Sequence, residues 1–186
     1  MIVGIGLCYN RDMKTIKIYL YYIIFLFICI VVIALPAVAL SKEQESTIMD
    51  HCESIKDNLR LIQKNDARTR VYLGGRYESI LNKYVMPLNV SLVENSMSTA
   101  NMIESQNVFT AGKTRFANDY VNYQQRLEEL VSMDCRNDAV GFYEKLEDVR
   151  TRRKKVEQDV QELRKILDEY VGLVVKLKER LNEKTK

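Results

Sequence analysis

The chain of 186 residues predicts an all-α protein: an elongated, antiparallel, coiled-coil-like three-helix bundle preceded by an N-terminal signal peptide or membrane anchor. Three observations carry that expectation. Glycine and proline are scarce, at seven and two residues, while 28% of the chain is charged, and this balance favours long helices over strands and tight turns. Apolar residues recur at alternating steps of four and three over long stretches. The longest uncharged run stands apart from those stretches, at the N-terminus.

That run belongs to "MKTIKIYLYYIIFLFICIVVIALPAVALSKE", which starts at Met13. Lys14 and Lys17 give a basic start, 18–34 is apolar without a charge, Pro36 breaks a helix, and Ala37, Val38 and Ala39 supply small residues for a signal peptidase. Met13 is a second candidate start, because the preceding twelve residues add nothing to this pattern. Residues 1–39 therefore read as a signal peptide cleaved near Ala39 or as a retained signal anchor. In the second case residues 18–40 associate with a membrane, with Tyr19, Tyr21 and Tyr22 at its interface. Both readings put the rest of the chain outside the cytoplasm. Cys29 follows Ile28, where a lipoprotein signal needs a small residue. A linker over 40–46 then leads to a bundle over 47–186.

The third helix, about 138–182, is the clearest. Its seam runs from Phe142 to Leu181 in steps of four and three, interrupted only by Arg153. The second, about 98–133, carries Phe109, Phe116, Tyr120, Tyr123, Leu127 and Leu130, with Lys113 in the gap, an aromatic stripe that reads as core. The first, about 47–93, runs through Ile48, Cys52, Ile55, Leu59 and Ile62, then Leu73, Tyr77, Ile80, Tyr84, Leu88 and Leu92. Its phase slips near Gly74 and Gly75, and Pro87 predicts a kink. The Asn- and Ser-rich stretch 94–101 is the turn into the second helix. Short turns make successive helices antiparallel neighbours, each burying one face against the others.

Of four cysteines, Cys8 and Cys29 lie in the N-terminal segment, leaving Cys52 and Cys135. Antiparallel helices align residues equidistant from their turn, and these two straddle the 94–101 turn. A turn at Pro87 would offset them by roughly 20 Å of helix rise, far beyond the span of a disulfide. A Cys52–Cys135 bond is therefore expected in an oxidising compartment, the alternative being two buried thiols.

Motifs for catalysis and for metal or cofactor binding are lacking. His51 is the sole histidine, and its neighbour Cys52 points about 100 degrees away round a helix. No zinc-ligand spacing or phosphate-binding glycine loop occurs. Asn89-Val90-Ser91 matches a glycosylation sequon. From residue 40 onward, 25 basic residues balance 24 acidic ones, which argues against nucleic acid as a partner. The cluster Arg150, Arg152, Arg153, Lys154 and Lys155 reads either as a solvated face, with Arg153 turning its head out of the seam, or as a docking patch for an anionic partner such as lipid head groups or wall polymers.

The resulting expectation is a non-enzymatic exported bundle acting as a structural or protein-interaction module at the cell envelope or outside the cell. It takes a protein partner of unknown identity, and its seams also suit a homo-oligomer. The alternatives are a periplasmic-type holdase chaperone using a helical prong, or a regulator of an envelope enzyme.

Overall fold

The computed structural model describes residues 40–184; the predicted signal or anchor segment, 1–39, lies outside the described residues. Every regular element among them is helical, and the helices pack as a bundle of three rods. The first rod is composite: α1 (Lys42–Asp50), α2 (Cys52–Ile80), a π-helical turn (Leu81–Val85) and α3 (Met86–Glu94). The second rod is α4 (Ala100–Ser132) and the third is α5 (Ala139–Lys184). At 46 residues, α5 is roughly 70 Å long.

The first rod begins earlier than its apolar spacing predicts. Ser41 caps α1 by accepting the Gln44 backbone N–H at 3.2 Å, and the Gln44 side chain accepts the Ser41 N–H at 3.0 Å. This reciprocal pair starts a helix wherever Ser-x-x-Gln precedes helix-forming residues. Most of 40–46 is therefore helix and not linker. The rod continues through Gly74 and Gly75, where an added side chain would meet nothing within 4 Å.

Proline is accommodated by the π-helical turn. Pro87 lacks an N–H, and its ring would collide with the carbonyl four residues back in a regular α-helix. The preceding turn is one residue wider, with the Met86 N–H bonded to the Leu81 carbonyl, and the helix resumes with Pro87 in its first turn. The extra residue also rotates the apolar face. Leu81 and Val85 are buried in place of Tyr84, which is 67% exposed, contrary to the spacing read from sequence.

Both turns are closed by hydrogen bonds. After Glu94, the Met97 N–H reaches the Leu92 carbonyl and the Ser96 N–H reaches Val93, with Ser96 at a left-handed φ of 55°. This is the glycine-type helix terminus built with serine. At the other end, Asp134 accepts the backbone N–H groups of Arg136 and Asn137, and Asp138 caps α5 through the Gly141 N–H.

Cross-rod bonds define the register. Along the first rod Lys56 reaches the Met133 carbonyl just after α4, and Asp66, Glu78 and Asn89 reach Tyr123, Lys113 and Gln106 of α4, in descending order. The same rod meets Arg153 and then Tyr170 of α5, in ascending order. The first rod thus runs opposite to α4 and alongside α5.

The interior has two clusters. The base gathers Cys52, Leu59, Tyr123, Leu127, Leu130, Cys135 and Phe142. The distal cluster gathers Tyr77, Leu81, Val85, Leu92, Phe109, Phe116, Leu163 and Tyr170, with Phe109 and Phe116 each edge-on to Tyr77. Gly112 lets α4 and α5 approach closely, since a Cβ there would lie 3.0 Å from Leu163 Cδ2. Lys113, read as the residue filling the seam gap, instead reaches sideways to Glu78.

Candidate functional site

The cysteine pair is bonded. Cys52 and Cys135 form a disulfide with Cα atoms 5.6 Å apart, both buried in the base cluster. Its location fits the far turn at 95–99 from which the pairing was derived. The bond ties the start of α2 to the α4–α5 turn.

At the waist, between the clusters, the first rod buries no large apolar side chain: Leu61, Ile62, Val71 and Tyr72 are exposed, and Asp66 and Arg70 face the other rods. Asp66 accepts three hydrogen bonds: from the Tyr123 hydroxyl at 2.7 Å and from Arg153 Nε and Nη2 at 2.7 and 3.0 Å. One carboxylate thereby joins all three rods. Burial pushes the Asp66 carboxyl up, but hydrogen bonds from Arg153 and Tyr123 outweigh it and hold the group below the usual aspartate value. Burial, and then Asp66, raise Tyr123, so its hydroxyl keeps its proton. The trio is locked as carboxylate, phenol and guanidinium.

Beside it lies a cleft of about 360 Å³, lined by Asp66, Arg70 and Leu73 of the first rod, Phe116, Tyr120 and Tyr123 of α4, and Arg153, Val156 and Val160 of α5. The Arg70 guanidinium sits 5.6 Å from the Tyr120 ring centroid, within cation–π range. The walls are apolar and aromatic with a charged rim, a surface suited to recognition.

The Arg153 side chain is 56% exposed, and it breaks the α5 seam opposite its counter-charge, Asp66, which breaks the seam of the first rod at the same level. The rest of the basic cluster is similarly engaged. Arg150 pairs with Glu147, Arg152 with Asp148, and Lys155 with Asp119, so among the described residues only Lys154 of the five has no ion pair. The patch consequently presents little free positive charge.

His51 is exposed at the joint between α1 and α2, its backbone bridging the two helices. Among the described residues no group of three or more His, Cys, Asp and Glu side chains could hold a metal ion. Nor is any helix among them long and apolar enough to cross a membrane; 18–39, the bulk of the segment read as membrane-associated, lies outside them.

Asn89 corrects the sequon reading. It is 4% exposed, its amide donates to the Met102 carbonyl and to Gln106 Oε1, and its Oδ1 accepts from the Tyr170 hydroxyl at 2.8 Å. A glycan cannot be attached to that nitrogen in the folded chain. On the outer side of α3, Met86, Val90 and Val93 are exposed at positions i, i+4 and i+7. That spacing puts them on one helix face. The α5 residues Val171 and Val175, one turn apart, are exposed as well.

No protein-family model, curated protein or solved structure matches the chain.

Proposed function

We propose that the chain is a non-enzymatic, extracytoplasmic protein whose elongated, coiled-coil-like bundle binds another protein, with the distal half of the first rod as its contact face. The observation that carries this reading is the exposed apolar stripe of Met86, Val90 and Val93 on a helix whose opposite face is already buried. An amphipathic helix has one face to bury, and a second apolar stripe at helical spacing is what helix-docking partners engage. Support for an extracytoplasmic setting comes from the disulfide, which persists in oxidising compartments, together with the signal-like pattern of residues 1–39.

The test is site-specific photocrosslinking from Val90 in the native cells. A binder of one protein gives a discrete adduct that Val93→Asp removes. A ladder of unrelated adducts, with suppressed aggregation of unrelated clients by the purified chain, would favour the holdase. An adduct of the chain with itself would identify a homo-oligomer.

A further inference from the structure

Across the α4–α5 interface, two carboxyl groups face each other without enough donors. Asp159 is 4% exposed; its Oδ1 accepts Arg115 Nε at 2.8 Å. Asp119 lies within hydrogen-bonding reach of it, and its Oδ1 accepts Lys155 Nζ at 3.1 Å. The Oδ2 atom of each is buried and has no partner. A buried carboxylate oxygen without a donor is costly, and two adjacent ones repel as well. The local charge count points the same way. Arg115 and Lys155 are two cations facing three carboxyls, Asp119, Asp159 and Glu162, the last bonded to Arg115 at 2.6 Å. One proton balances the group. Among the described residues no charged side chain of the first rod bonds to either aspartate.

We propose that a proton on Asp159 bridges to Asp119 through their Oδ2 atoms in the folded chain, and that its loss weakens the α4–α5 interface as pH rises. The pair is a pH-sensitive clasp within the helical hairpin. A lowered carboxyl such as Asp66 acts in the opposite sense. Burial, and then Asp119 beside it, raise the Asp159 carboxyl against the pull of Arg115. A group whose folded value is raised binds its proton more tightly in the native chain. Its contribution is present below the ordinary aspartate value and is lost as pH rises through the folded value.

The experiment uses the full chain with its disulfide intact, held in mild detergent. Urea unfolding is followed by circular dichroism from about pH 4, near the ordinary aspartate value, to about pH 9. The folding equilibrium constant of the wild type should fall by up to about tenfold per pH unit at the steepest point, the limit for one proton. Asp119→Asn supplies an amide donor in place of the proton, so it should flatten this fall and leave the variant more stable than wild type at the alkaline end. Infrared spectroscopy of the wild type provides a readout that does not need the variant to fold: a protonated-carboxyl band that persists above the ordinary carboxyl values and disappears as the stability falls. A flat wild-type profile, a wild-type fall that Asp119→Asn leaves unchanged, or no protonated-carboxyl band persisting above the ordinary carboxyl values would overturn the proposal.

Discussion

The base and the distal end of the bundle solve the same packing problem differently. At the base, Leu127, Leu130, Phe142 and Cys135 are completely buried, and a disulfide spans the rods. At the distal end the first rod contains a π-helical turn, a proline and a hydrogen-bonded Asn89 in its interior, while Met86, Val90 and Val93 face outward. The interior of the base is tightly packed and covalently closed. The distal end satisfies its interior through polar bonds, which demand specific geometry, and leaves apolar surface uncovered. The contrast is between an interior closed by apolar packing and a covalent bond and one completed by polar bonds beside an exposed apolar stripe.

The largest effect expected from breaking this contrast is at the base. Phe142→Ala empties a completely buried ring site and should cost about 3–5 kcal/mol, measured by urea unfolding. Removing the disulfide by Cys52→Ser with Cys135→Ser should cost roughly 2–4 kcal/mol, because the bond joins residues 83 apart and restricts the unfolded chain. Reduction of the native chain should reproduce that loss.

The waist lies between these extremes. Asp66→Asn weakens the link to the half-exposed Arg153, and solvent screening limits the expected loss to about 1 kcal/mol. Since the Asp66 carboxyl is held below its ordinary value, its contribution is present above about pH 4 and lost as pH falls through the folded value. The variant should therefore match wild type more closely in acid than at neutral pH, as read from unfolding midpoints over that range. Smallest of all is Val90→Ser at the distal surface, expected to change folding stability by less than about 0.5 kcal/mol. A large loss there would mean that this face is part of the fold's own interior.

Regular apolar spacing made much of this architecture legible. The stripe from Phe109 to Leu130 is buried at every position named, and the Cys52–Cys135 pair followed from its relation to the far turn. Local hydrogen bonding was less visible: the capping box at Ser41 and Gln44 lies outside the apolar repeat that marked the first helix. The exchange of Tyr84 for Leu81 and Val85 could not be seen in a strict repeat, because the π-helical turn inserts a residue. The Asp66–Arg153 link did leave a trace. Each residue interrupts its own apolar seam, and opposite charges in two gaps are complementary once the register is known. Asp119 and Asp159 left none, since each reads as an ordinary polar position until α4 and α5 are brought together.

The central claim is that the uncovered distal face, and not the closed base, engages a protein partner. Photocrosslinkers installed in native cells at Val90 on that face and at exposed Arg60 near the base test it most directly. The account predicts one discrete adduct from Val90, abolished by Val93→Asp, and none from Arg60. Equal crosslinking from both positions, or an adduct from Arg60 alone, would contradict it.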